Sequence, residues 1–488
     1  MSAIITEKFR QHNATQFHES FTEASGNTYY LMIGKSSPFT SATSGGTDDS
    51  PPTPADDVTS EFYTFDSGVA AKKIASTNIT FAIPRRDFSS STVYDKYEHN
   101  ISSSNTTNSG ATNLFDSTFY FRTSANRVYK VLDNINNGTM TGEPEDETAG
   151  IITQVGTDGD GVTSGSYKLL YMYTITASEQ QAFLTTDFMP VSTDSTVSAR
   201  ATDGKIEDTV IIVAGGESGT DGTHTDVDIR GDGTGGKATV VISGNTVTSV
   251  TVTTAGSGYT FATISDADIN TAGGGSLSGS NLNVIIGPKG GHGSNAVDEL
   301  GGHYVMLQSS LEGADSDDFL TANDFREISL LVDPTNYGTS TVASATTLRN
   351  TYAMKFGGSP GTFTADEKIT QETTGAIGKV VEYDSTLKIL YYVQERFGDH
   401  GTNSSTGAYV AFSGSTTVTG ASSEATGTPD ATADSAVTLA GGNTITFTNG
   451  HANPEIQPNS GDVIYRETRK PISRATDQTE DIKIIVEF

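Results

Sequence analysis

The chain has 488 residues, with 29 Lys plus Arg against 59 Asp plus Glu, a net charge of −30, and no cysteine. The missing thiols exclude disulfides and thiolate metal sites. The acidic balance argues against a nucleic-acid partner, because binding that backbone needs cations in place of condensed counterions. Apolar residues make up 34% and charged ones 18%, beside 52 Gly and abundant Ser and Thr. Such a mixture suits short strands joined by many turns rather than long helices, so a mainly β chain with a few short helices is expected. No stretch approaches the roughly 18 apolar residues that a membrane helix needs. The opening MSAIITEKFRQHN meets charge before any apolar core, so no secretory signal and no membrane partner are expected.

In chain order, Thr6 reads as an N-cap for a helix on which Phe9, Phe17, Phe21 and Ala24 recur, stopped at Gly26. Tyr29–Ile33 reads as a strand ended by Gly34. A loop from Ser36 to Asp57 follows, with Pro51, Pro52 and Pro54. Further strands are expected at Ile79–Ile83, Phe119–Phe121, Val128–Leu132 and Leu169–Ile175. In the last of these, Leu169, Tyr171 and Tyr173 alternate with Leu170, Met172 and Thr174. Ser178-Glu179-Gln180-Gln181 has capping-box spacing and opens a short helix.

From Lys205 to Leu282 the chain turns Gly- and Thr-rich. Thr239–Ile242 and Thr246–Val252 flank Gly244-Asn245, which predicts a two-residue type II′ hairpin, and Gly256-Ser257-Gly258-Tyr259 closes the unit. A second stretch of this kind runs from 356 to 450. It holds a hairpin of Lys379–Tyr383 and Leu387–Val393 about a turn at Asp384-Ser385. Within it, Ser413–Ser435 is poor in apolar residues and is expected to be a mobile loop or a loosely packed edge. After Gly461 a strand, turn and strand end in alternating Ile482, Ile484 and Val486. The organisation expected is a discontinuous core of 1–204, 283–355 and 451–488, interrupted by small β modules at 205–282 and 356–450.

Motifs that could carry chemistry are weak. Asp158-Gly159-Asp160-Gly161 begins like a calcium loop, but position twelve is Leu169 where a bidentate acid is needed, so it reads as a turn. Arg230-Gly231-Asp232 is the adhesion tripeptide, here within a Gly-rich hairpin region. His12, His18, His99, His224, His292, His303, His400 and His451 are scattered, and Gly290-Gly291-His292-Gly293 reads as a tight turn. Sequons such as those at Asn78, Asn100 and Asn137 carry no weight without a secretory signal. The acidic pairs Asp317-Asp318 and Glu480-Asp481 could serve glycoside hydrolysis only if two carboxylates faced one cleft. No nucleophile elbow, phosphate loop or dinucleotide fingerprint is present. No catalytic residue, cofactor, metal ligand or small-molecule substrate is therefore expected.

Five blocks carry a resemblance. They are Ile5-Thr6-x-Lys8-Phe9-Arg10; Ile33-Gly34-Lys35-Ser36 with Pro38-Phe39; Ile83-Pro84-Arg85-Arg86-Asp87-Phe88; Phe325-Arg326-Glu327-Ile328-Ser329 leading to Asp333-Pro334; and the end from Gly461. In that end, Glu467, Arg469, Pro471, Ile472, Asp477, Gln478, Thr479, Glu480 and Phe488 fall at the matching positions. In this order the blocks resemble the baseplate wedge subunit, conventionally numbered eight, of contractile-tailed myovirus phages. The resemblance spans roughly two thirds of the chain and lapses over 205–282 and 356–450. It implies a two-layer β-sandwich core, a homodimer, contacts with other baseplate wedge proteins and no catalysis. It also implies a place in the virion tail after assembly in the host cytoplasm. Arg85, Arg86 and Asp87 read as a local turn in preference to an inter-subunit ion pair. A peripheral tail-fibre or receptor-binding protein is the alternative, and a polysaccharide-cleaving tail enzyme is a third class.

Overall fold

Alternating β-branched and aromatic residues set most of the secondary structure: strands hold 41% of the chain and helices 12%, so the chain is mainly β with a few short helices. The computed structural model describes residues 4–488 apart from 24–25, 41–44, 158, 160–164, 207–209, 316, 396–408 and 434. It forms two units, each discontinuous in sequence. The first comprises Met1–His18, Thr80–Met306 and Ile485–Phe488, and the second Glu19–Ile79 and Leu307–Ile484.

In the first unit, the strands Tyr120–Arg122, Arg127–Asp133, Gly165–Thr174, Ile151–Thr157 and Thr139–Met140 form one antiparallel sheet in that order. Side chains alternate across its two faces. Tyr129, Val131, Leu169 and Tyr171 bury one core with Tyr94 and Phe121, while Val128, Leu132, Leu170 and Met172 bury another with Phe119 and Ile175. The expected alternation breaks at Tyr173, which joins Leu170 and Met172. The register shifts between the Val128–Tyr173 and Tyr129–Tyr171 pairs, and the extra residue of a β-bulge turns the following side chain over.

Lys130 lies between Val128 and Leu132 on that second face and is fully buried. Its Nζ donates to Glu299 Oε2 at 2.6 Å and stands 4.5 Å from the centre of the Tyr97 ring. Glu299, in the helix Ala296–Leu300 capped by Asn295, also accepts from the Gly293 and Asn295 amides. Burial pushes the Glu299 carboxyl up, but Lys130 and the Gly293 amide outweigh it and hold it below its ordinary range.

Residues 206–284 of this unit carry a hydrophobic cluster of their own, including Val227, Val240, Ile242, Val250, Tyr259, Ile269 and Leu277. The hairpin Thr234–Ser243 and Thr246–Ser257 turns on Gly244 and Asn245, with φ of +63° and +66°. Two consecutive left-handed residues define type I′, so the expected type II′ turn is corrected. Asn tolerates that region, and the I′ twist matches the strands.

In the second unit, Thr347–Arg349, Gly68–Lys73, Tyr29–Gly34, Phe325–Val332 and Asp462–Ile472 form a five-stranded antiparallel sheet in that order. A seven-stranded sheet joins Tyr352–Lys355, His451–Ala452 and the strands from Lys368 to Gly427 around Phe356, Ile369, Val380, Leu390 and Tyr392.

Several local expectations shift. The first helix ends at Glu19 instead of Gly26, and it buries Gln11 and Ala14 while Phe9 is 55% exposed. The N-cap near Ser178 is Thr176: its hydroxyl accepts from the Glu179 amide, and Glu179 returns a bond to the Thr176 amide. A helix not expected from the sequence, Val58–Ser67, is opened by Asp57 accepting from Ser60 N at 2.8 Å. The strand expected from Leu387 starts at Ile389, because Asp384 caps the Thr386 and Leu387 amides. Ser413–Ser435 supplies the strand Val418–Gly420 and the edge strand Thr426–Gly427, but its packing is tight at buried Val418 and Ala425. There the Glu367 carboxylate accepts from the Ser422 and Ser423 amides.

Breaking a buried pair on one side strands the other charge. Lys130→Met is expected to destabilise the protein by about 3–5 kcal/mol in denaturant unfolding. Lys130→Met combined with Glu299→Leu is expected to recover most of that loss. Equal losses in the single and double variants would contradict a stranded charge as the cause.

Candidate interaction site

Three of the resemblance blocks meet in the second unit. The strand Phe325–Val332 has no exposed residue, yet it carries Arg326 and Glu327 side by side, so each must find a partner inside the fold. Arg326 Nε and Nη2 bond Asp48 Oδ1 and Oδ2, both at 2.9 Å, and Nη1 reaches the Ser36 carbonyl. Glu327 faces Arg466 in the same two-pronged way, with Nε to Oε1 and Nη2 to Oε2 both at 2.9 Å, and it accepts from the Thr64 hydroxyl. Lys35 donates to Ser37 Oγ at 2.7 Å and to the buried Glu395 carboxylate at 3.2 Å. Burial pushes the Asp48 carboxyl up, but Arg326 and the Phe39 amide outweigh it and leave it below its usual value.

A cavity of about 220 Å³ opens over this network, lined by Lys35, Phe39, Pro52, Tyr63, Glu327 and Arg466 among others. Wider grooves continue along the outer strand Asp462–Ile472, where Pro51–Glu61 forms the other wall. Every charged group on the cavity wall already has a partner. The arrangement holds a surface in shape.

The block Ile83–Phe88 makes a second, separate network in the first unit. Asp87 takes Arg85 at 2.6 Å and Arg122 at 2.8 Å. Burial raises its carboxyl, and the two guanidinium groups reverse that and lower it. The Arg86 guanidinium lies 4.3 Å from the Tyr120 ring centre, and the Tyr120 hydroxyl donates to the Pro84 carbonyl. The local Arg85–Asp87 contact expected here is present, but the segment forms no turn: Asp87 bridges to Arg122 instead.

Among the other sequence candidates, Arg230 and Asp232 are both engaged. Arg230 bonds Asp268 at 2.6 Å. Asp232 accepts from the Thr260 hydroxyl and the Thr260 and Phe261 amides, which hold its carboxyl down at about 2. Asp158, Asp160, Gly161 and His400 lie outside the described residues. His303 pairs with Glu7, His292 stands edge-on to Tyr97, and His224 and His451 contact the Thr220 and Gly414 carbonyls. Among the described residues no group of three or more His, Cys, Asp or Glu is placed to hold a metal ion. No helix among them is long and apolar enough to cross a membrane.

The acidic pairs divide their members among separate partners. Glu480 binds Arg474 at 2.8 Å, and Asp481 accepts from Ser310 and Gln308. Asp318 accepts from the Thr347 hydroxyl at 2.5 Å and from Asn443 at 2.6 Å, while Asp317 accepts from the Gly441 amide. Together Asp317 and Asp318 hook the hairpin Ala436–Thr438 and Thr444–Thr446. Burial, reinforced by Glu455 and Asp317, raises the Asp318 carboxyl to about 6 against the opposing Thr347 bond.

Residues 3–144 match the model of the family described as Bacteriophage T4, Gp8. This baseplate wedge resemblance is shown over those residues. The match contains the opening block and those at Ile33–Phe39 and Ile83–Phe88, and it supports a structural role in a phage baseplate. The blocks at Phe325 and Gly461 lie beyond it, yet Arg326, Glu327 and Arg466 pack beside Ser36 and Lys35 of the matched part. No curated protein matches the chain.

The Asp318 shift sets a pH dependence. Its folded value near 6 lies above the ordinary carboxyl value of 3.8, so the folded state keeps the proton longer. The associated stability is present in acid and is lost as pH rises from about 4 to about 6. Asp318→Asn is expected to raise stability at pH 7 by up to about 3 kcal/mol and to have little effect near pH 3.5. Thermal melts at the two pH values test this, and equal effects at both would refute it.

Proposed function

We propose that the chain is a dimeric, non-catalytic scaffold of a baseplate wedge in a contractile phage tail. In this reading it contacts other wedge subunits and is assembled in the host cytoplasm. The family match over residues 3–144 carries the reading. The five-stranded sheet adds support, because it ends in an eleven-residue outer strand, Asp462–Ile472, and outer strands lend themselves to pairing across subunits. So does the use of the buried carboxylates Glu299, Glu327 and Glu395, which are spent on structural partners.

Residues 205–282 and 356–450 are small β modules inserted into this scaffold. The cluster of residues 206–284 supports the first, as does the pairing of Ile211 with Asn283 and Ile212 with Leu282 near its two ends. The bond from Lys355 N to the Gly450 carbonyl and the pairing of Tyr352–Lys355 with His451–Ala452 support the second. Each module leaves the scaffold close to where it returns.

Light scattering on a sizing column tests the assembly state: twice 51.2 kDa is expected, and a trimer would shift the reading to a fibre or spike. Removal of 205–282 is expected to leave a soluble protein with the same number of chains. Aggregation of that deletion would place the module in the scaffold's own core. Digestion of host cell wall by the purified chain would overturn the non-catalytic reading.

A further inference from the structure

A cavity of about 290 Å³ in the first unit is lined by Asn105, Asn108, Asn134, Asn136, Asn137 and Asn283, with Asp95, Lys96, Glu98, Thr106 and Thr107 between them and Ile211 and Val213 on one wall. Part of this wall is structural. Asp95 is consumed by Ser109 and Thr118, Asn134 bonds the Tyr94 carbonyl and Asn137, and Asn105 bonds Glu98 and Asn100. The carboxamides of Asn108, Asn136 and Asn283 have no hydrogen bond to any described residue.

The loop that presents Asn136 is strained. Ile135, Asn136 and Asn137 have φ of +52°, +54° and +63° in succession, and the first is β-branched, for which the left-handed region is a true outlier. Asp133 holds the Ile135 amide and Gly138 N bonds the Asn134 carbonyl, so surrounding contacts enforce the conformation. Strain kept in place by its surroundings is concentrated at ligand-holding sites.

We propose that this cavity binds one ring of a neutral hexose. A carboxamide offers a donor and an acceptor side by side, as a vicinal pair of hydroxyls does, and three such groups here, exposed at Asn108 and Asn136 and half-buried at Asn283, have no partner among the described residues. Val213, 61% exposed, and Ile211 give an apolar wall for the ring's C–H face. The volume lies at the lower end of small-molecule sites. The lining comes from five separate chain segments closing on one point, which suits a compact ring and not an extended peptide. Without an aromatic platform on the wall, the affinity falls in the millimolar range.

The test is saturation-transfer NMR on the full chain with glucose, galactose and N-acetylglucosamine as probes. Transfer to at least one of them is expected. Asn108→Ala with Asn283→Ala is expected to weaken it about tenfold or more. Val213→Lys, which fills the mouth from an exposed position and spares the fold, is expected to abolish it, while Ile464→Ala in the other unit leaves it unchanged. Absence of transfer from all three sugars would overturn the proposal. So would transfer that persists in both cavity variants while their circular dichroism matches the parent.

Discussion

The constraint on which the second unit rests is that Arg326 and Glu327 occupy a strand with no exposed residue. A buried, uncompensated charge costs several kcal/mol, so this strand is compatible with the fold only when Asp48, Ser36, Thr64 and Arg466 are all in place. Those partners come from three distant parts of the sequence. The pairs therefore fix which segments flank the strand more than they add net stability. Gly34 opposite Glu327 and Thr468 opposite it on the other side are the corresponding register points. A one-residue slip would exchange the two faces and separate both ion pairs at once.

The first unit follows the same logic with one pair. Lys130 and Glu299 lie within an aromatic and aliphatic cluster, and the cation rests on the Tyr97 ring. Hydrophobic burial alone would let the helix Ala296–Leu300 sit at several angles on the sheet. A 2.6 Å ion pair with two further amide donors allows far fewer.

Mainly β architecture was legible from composition, and Tyr29–Ile33, Ile79–Ile83 and Val128–Leu132 were legible from β-branched and aromatic runs. Local chemistry that depends on one hydrogen bond was less so. Thr176 and Ser178 both offer a hydroxyl three residues before a Glu or Gln, and only the chain's path decides which one caps. Gly244-Asn245 permits either primed turn. The I′ form follows from Asn245 entering the left-handed region, which composition permits without requiring. The bulge that turns Tyr173 over leaves no trace in a two-residue period. Asp57 before Val58–Ser67 was a readable N-cap, obscured by three prolines just upstream.

The interaction network was half visible. Ile33–Phe39, Phe325–Ser329 and the C-terminal block were singled out as sequence similarities, but their convergence is a tertiary fact: Ser36 and Arg326 are separated by 290 positions and hydrogen-bonded. Glu395 could not be found this way, since it sits in a stretch with no motif and becomes significant only by facing Lys35. Asp48 belongs to a loop read as a mere connection between turns. A loop that supplies both oxygens to a buried guanidinium is part of the sheet's support, so the segment between Ser36 and Asp57 is tied to the strand it passes. The ends of residues 356–450 are pinned by the bond of Lys355 N to the Gly450 carbonyl, and closure of a loop grows in cost only slowly with its length. Shortening the Ser36–Asp57 connection has no such tolerance, for it would remove the partner that makes a charged, fully covered strand possible.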